Sequence, residues 1–205
     1  MEWLSTLSLA LGSAWTSGIN LYATVSMLGL LQKFAGIKLP GGLEALDNWW
    51  IIGVAGGLYI VEFVADKIPY VDSVWDVVHT FIRVPAGVIV AYAATSQLDP
   101  TITISAALLG GGLAFASHGT KAAARVTANL SPEPISNWTL SIVEDIIAFV
   151  GTFLAVFAPM LIAIFLGLFV IFFIWFLPKI VRRLLRMFRA VSAYLSGKGF
   201  DQAAR

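Results

Sequence analysis

Between Glu62 and Arg83 the chain reads EFVADKIPYVDSVWDVVHTFIR, and seven of these 22 residues are acids, bases or histidine: Glu62, Asp66, Lys67, Asp72, Asp76, His79 and Arg83. Glu62 and Asp66 lie four apart, and Asp72, Asp76, His79 and Arg83 follow at steps of four, three and four, so each set shares one helix face. His118, Lys121 and Arg125 form a second stripe at steps of three and four, and Glu144 and Asp145 stand together further on. These residue types suit several chemistries. Carboxylates with histidines suit a hard or borderline cation, with Glu62, Asp66, Asp76, His79 and Glu144 as candidate metal ligands, or protons passing from group to group. Lys67, Arg83, Lys121 and Arg125 suit an anion such as a phosphate or carboxylate headgroup. Both signs together suit an anionic solute coupled to protons or sodium. Opposite charges can also simply pair, giving a salt-bridge network that fixes the structure.

The elements that must position these residues are apolar. The chain has 205 residues, of which 59% are hydrophobic and 12% charged, with a mean hydropathy of +0.86. A soluble domain carries about 25% charged residues, so the composition predicts an integral membrane protein. Long unbroken apolar runs argue for helices over the alternating strands of a barrel. Charges within such runs are costly in lipid, so they are expected to face a protein interior or a water-filled cavity, and the charged stripes to converge on one central charged cavity through which a solute passes. The net charge of +1 excludes little, and the lack of cysteine excludes disulfides and thiolate chemistry. There is no HExxH, GxSxG or phosphate-loop motif. A metal-dependent hydrolase built on His79, His118 and the acids is the remaining enzymatic reading. The expectation is of a protein that is not an enzyme and needs no cofactor.

Six spans are expected. The first covers residues 4–31 and carries Ser13, Ser17, Asn20 and Thr24 on one face, either as contacts between helices or as contacts to a substrate or ion. Its start lacks the basic region of a signal peptide. A loop follows at 32–47, then spans at 49–67, 72–97, 102–128, 138–157 and 159–177. Asp47 or Asn48 is placed to cap the second, Asp72 the third, and Pro85 predicts a kink or unwound turn in the third. After Pro178, Lys179, Arg182, Arg183, Arg186 and Arg189 interleave with apolar residues, predicting an interfacial helix on an anionic leaflet.

The domain expectation is therefore a transmembrane domain over 1–178 and a basic amphipathic cytoplasmic tail over 179–205. The positive-inside rule puts that tail, and with six spans the N-terminus, in the cytoplasm, leaving Lys33 and Lys38 outside against the same rule. The halves 4–97 and 102–178 share features: Gly18 matches Gly119, Asn48-Trp49 matches Asn137-Trp138, and Pro69 matches Pro159. Three spans per half would make the repeats inverted, as is common in secondary transporters. Expected partners are membrane lipids and an ion or small anionic solute, with no nucleic acid. A homo-oligomer is compatible with the sequence.

SGINLY (17–22), EFVADKIP (62–69), DSVWD (72–76), HTFIRVPAG (79–87), HGTKAAAR (118–125) and SPEPISNW (131–138) together resemble a membrane family catalogued as domain of unknown function 4126. The resemblance covers roughly residues 5–160. It implies a small bacterial inner-membrane protein and implies no activity. EFVADK is also distantly similar to a Glu-x-Gly-Asp-Lys/Arg element of a cation-exchanger family. It departs from that element in spacing its acids by four, and only Glu144-Asp145 stands where a second copy would be. The sequence therefore predicts an all-α polytopic bundle acting as a small secondary transporter. The alternative is a scaffold or lipid-binding protein with a structural charge network.

Overall fold

In lipid every backbone N–H and C=O must be satisfied within the protein, which leaves a chain of long apolar runs the helix as its element. The computed structural model describes residues 2–68, 71–129 and 134–195 and is all-α. The elements are α1 (Glu2–Ile19), α2 (Leu21–Phe34), a 3-10 helix (Gly41–Asp47), α3 (Trp49–Ala65), α4 (Val71–Thr95), α5 (Pro100–Asn129), α6 (Pro134–Phe157) and α7 (Pro159–Leu195). The chain divides into two compact units, residues 1–166 and 167–205. Among the described residues four helices, α4 to α7, are long and apolar enough to cross a membrane. The 3-10 helix and α3, bent by 78°, make a fifth if taken as one span.

The first unit is apolar outside and charged within. On α4, Asp72, Asp76, His79 and Arg83 are buried, whereas Val74, Val77 and Phe81 of the opposite face are exposed. Water would reverse that arrangement; a lipid surround favours it. The far half of α4 turns Val90, Ala91 and Ala94 into an apolar core with Leu9, Ala10, Ala14, Leu28, Leu39 and Leu43. α4 and α5 run antiparallel: Arg83 meets His118 near one end, and Gly87 meets Gly110 and Ala114 further along.

Local chemistry decides where the elements break. The expected first span is two helices, separated at Asn20. That residue adopts an extended conformation (φ −145°), and its Oδ1 accepts the Ala23 N–H at 2.9 Å, so its side chain caps α2. Asn48 caps α3 in the same way, accepting from Trp50 N at 2.8 Å. The expected loop at 32–47 ends in the 3-10 helix. Gln32 donates to the Glu44 carbonyl and Lys33 to the Asp47 carbonyl, each at 2.7 Å, while Leu39 and Leu43 are buried beneath.

No unwound turn appears at Pro85; α4 is helical throughout. A proline removes one helix hydrogen bond, and contacts to α5 hold the chain on both sides of it, at Arg83 and at Gly87. α7 likewise continues through Pro178, where a separate tail helix was expected. Arg182 Nε donates to the Pro178 carbonyl at 3.0 Å, and the Lys179 ammonium sits 3.0 Å over the Trp175 ring. Arg182, Arg183, Arg186 and Arg189 are exposed. The end of the tail, residues 196–205, lies outside the described residues, as do the turn at Pro69 and residues 130–133 of the connection before α6.

Asp99 starts α5. Its Oδ1 accepts the Thr101 N–H at 2.8 Å, with Pro100 in the first helical position. That bond holds the carboxyl below its usual pKa. The cap is therefore present above the ordinary carboxylate range and is lost as pH falls through the depressed value. Asp99→Ala should speed amide hydrogen exchange at Thr101 near neutral pH, and Asp99→Asn should keep the protection and remove its loss in acid.

Close packing holds α1 to α5. A Cβ added at Gly18 would collide with Ser117 Oγ and the Ala114 backbone. The approach lets Ser117 Oγ donate to the Trp15 carbonyl at 2.7 Å. Gly18→Ala should destabilise the protein by about 1–3 kcal/mol, read as a lower unfolding midpoint in detergent. An unchanged midpoint would show that the contact is slack.

Candidate functional site

Charged side chains that cannot face lipid must find one another, and five elements bring theirs together. Glu62, at the end of α3, and Asp66, just beyond it, meet Asp72, Asp76, His79 and Arg83 of α4. α5 adds His118, Lys121 and Arg125, α6 adds Glu144 and Asp145, and the α1–α2 break adds Asn20. All twelve are buried, with Glu62, Asp72 and Arg83 at 0% exposure.

Lys121 is the hub. Its ammonium lies 3.2 Å from Asp66, 3.4 Å from Glu144, 3.5 Å from Glu62 and 3.7 Å from Asp76, and it donates to the Ile19 carbonyl at 3.2 Å. Two arginines flank it. Arg83 donates to Glu62 at 2.5 Å, to Asp76 at 3.3 Å and to His118 Nδ1 at 2.9 Å. Arg125 bridges Glu144 and Asp66 (2.8 Å), donates to the Asp66 carbonyl at 3.0 Å and reaches Asp72 at 3.6 Å. Asn20 Nδ2 donates to Asp145 Oδ1 at 3.0 Å, so the residue that breaks the first span also touches the acids.

Lys67 stands at the edge. It donates to Ser141 Oγ at 3.3 Å and to the Phe63 carbonyl at 3.0 Å, and lies over the Phe63 ring.

Six carboxylates (Glu62, Asp66, Asp72, Asp76, Glu144, Asp145) face four cations (Lys67, Arg83, Lys121, Arg125), two more negative charges than positive with the histidines neutral. Glu62 Oε2, Asp66 Oδ1 and Asp76 Oδ2 are buried without a hydrogen-bond partner. The candidate metal ligands Glu62, Asp66, Asp76 and Glu144 bind the basic side chains, and His79 bonds elsewhere. Among the described residues no three His, Asp or Glu form a metal-ligand group.

The spacing of charges pointed to these residues but not to their neutral partners. Tyr22 Oη lies 3.0 Å from His79 Nε2, and Thr80 Oγ1 lies 2.7 Å from His118 Nε2. His79 also stacks on Trp75, with ring centroids 4.4 Å apart. Tyr22 is off the Ser13–Thr24 stripe, and its one sequence cue is its place two residues after Asn20.

An apolar exterior around a buried, paired set of charges on several helices defines a helical membrane protein with a charged centre. The chain belongs to the family described as Domain of unknown function (DUF4126), which matches residues 7–179. Searches of curated proteins and of solved structures returned no match.

The hub makes a sharp stability prediction. Lys121→Met leaves four carboxylates without their shared cation and should cost about 3–5 kcal/mol. Adding Glu62→Gln should return part of that loss. Thermal melts of both variants in detergent check this, and equal stability of Lys121→Met and the parent would remove Lys121 from the centre of the network.

Proposed function

We propose that this chain is a small secondary transporter that moves an ion through its charged centre, coupled to protons or another cation. One observation carries the reading: the centre, with Lys67 counted at its edge, holds two more carboxylates than cations, and Glu62 Oε2 and Asp66 Oδ1 have no hydrogen-bond donor. Such a site favours positive charge entering it. It favours a cation over an anionic solute or lipid headgroup, because Arg83, Lys121 and Arg125 already bind the protein's own acids. In this proposal Glu62, Asp66 and Asp76 accept the cation while Arg83 and Lys121 hold them in place.

The architecture that goes with this function has six spans in a bacterial inner membrane: α1 with α2 as one broken span, the 3-10 helix with α3 as one bent span, and α4 to α7. Its two halves form an inverted repeat, and the exposed arginines of α7 lie along the cytoplasmic face. The crossing of α1 and α5 at Gly18 and Ser117 supports this, since these helices open the two halves. Gly119, the repeat partner of Gly18, faces open space, so the halves do not pack alike there.

The second reading is a scaffold or lipid-binding protein, favoured by the number of ion pairs that the network makes within itself. Reconstitution separates the two. Proteoliposomes with a pH-sensitive dye inside should show proton movement driven by an imposed sodium, potassium or divalent-cation gradient. Arg83→Lys, which loses the fork that spans Glu62 and Asp76, should lower the flux about tenfold or more. Absence of flux with every one of these cations, from correctly folded protein, would favour the scaffold.

A further inference from the structure

The two histidines of the centre sit in opposite hydrogen-bonding situations. His118 Nδ1 lies 2.9 Å from Arg83 Nη1. A guanidinium only donates, so Nδ1 must accept and cannot carry a proton. The ring is thereby held neutral with its proton on Nε2, aimed at Thr80 Oγ1 at 2.7 Å. Thr80 is free to accept because its own hydroxyl proton goes to the Asp76 carbonyl at 3.0 Å.

His79 is arranged the other way. Its Nδ1 lies 2.8 Å from the Trp75 carbonyl, which only accepts, so Nδ1 carries a proton. Its Nε2 faces the Tyr22 hydroxyl at 3.0 Å. A hydroxyl donates or accepts as required. It donates to a neutral ring and accepts from a protonated one, with no heavy atom moved. The Tyr22 ring also borders a crevice of about 410 Å³ lined by Trp50, Val54 and Leu58, so packing leaves it room on that side.

We propose that His79 is the proton-binding site of this protein and that Tyr22 is the hydroxyl that lets it take up and release that proton, while His118 stays neutral as an acceptor for Arg83. In the binding step a proton from solvent forms the Nε2–H bond of His79 and the Tyr22 hydroxyl turns from donor to acceptor. No other bond changes and nothing is oxidised. The groups around His79 are Tyr22 from α2, Glu62 from α3, and Asp76 and Arg83 from its own helix. α5 brings His118 and Lys121, and α6 Glu144 and Asp145, to the same centre. Uptake reduces the centre's excess negative charge by one. The proposal deepens the transport reading by naming the coupled ion's site.

With two histidines in the chain, nitrogen-15 NMR of the histidine-labelled full protein in lipid resolves them, and His79→Gln assigns the signals. As the pH is lowered over the range in which the protein stays folded, His79 should pass from the Nδ1–H form to the imidazolium, while His118 keeps the Nε2–H form. Tyr22→Phe, which removes one hydroxyl from the surface of a ring, should move the His79 midpoint by roughly half a pH unit or more and leave His118 unmoved. Titration of His118, a His79 signal that stays neutral across the range, or a midpoint indifferent to Tyr22→Phe overturns the proposal. Titration of His79 as expected without ion flux in liposomes would sink the transport reading and leave the proton site standing. Flux with a silent His79 would do the reverse.

Discussion

A charge placed in a lipid-facing bundle is tolerated only if its partner is buried with it, and Lys121 is where that constraint converges. One ammonium is within 3.7 Å of carboxylates from α4, α6 and the end region of α3. No single pair accounts for the arrangement, since each acid is shared. Glu62 is divided between Arg83 and Lys121, and Asp66 between Lys121 and Arg125. Sharing spreads the desolvation cost over many contacts, and it also ties the positions of the helices together. A helix displaced here would strand charges on its neighbours.

The two ends of α4 show how the sequence divides its labour. From Asp72 to Arg83 the inner face is ionic and extends about 16 Å along the axis at 1.5 Å per residue. From Gly87 onward the inner face is small and apolar, and Gly87, Gly110 and Ala14 let three helices meet nearly backbone to backbone. The ionic part fixes which helices meet, because charges must match. The small-residue part fixes how closely they meet, because only dispersion and shape act there. Polar groups such as Asn20 and Ser117 sit where the two regimes join α1 and α2 to the rest.

Much of this was legible in the chain. Steps of three and four among Asp72, Asp76, His79 and Arg83, and again among His118, Lys121 and Arg125, are a face of a helix, and a charged face in apolar sequence has to point inward. Asn48 was readable as a cap because a cap acts on residues beside it. The break at Asn20 was not, because Asn20 also continues the periodic stripe of Ser13, Ser17 and Thr24, and periodicity alone hides a cap within a stripe. Pro85 looked like a kink or unwound turn and Pro178 like a stop because local rules see the missing donor but not the neighbouring contacts that carry the helix past it. The pairings of Tyr22 with His79 and of Thr80 with His118 join residues 57 and 38 positions apart. No periodicity encodes such contacts, and an uncharged hydroxyl gives no warning of its partner.

The order in which the chain emerges from the ribosome sets a problem that the finished structure conceals. Asp66 finds Arg125 59 residues later, and Arg83 finds His118 35 residues later. At roughly 5–20 residues per second, Asp66 waits about 3–12 s for its arginine. During that interval Glu62, Asp66, Asp72 and Asp76 have only Lys67 and Arg83 as basic partners, and an unpaired charge near the centre of a lone helix costs about 2.5–3.5 kcal/mol. α4 is therefore a poor candidate for release into lipid by itself. Entry of α4 together with α5, which brings Lys121 and Arg125, would let the acid-rich and base-rich segments reach the bilayer already paired.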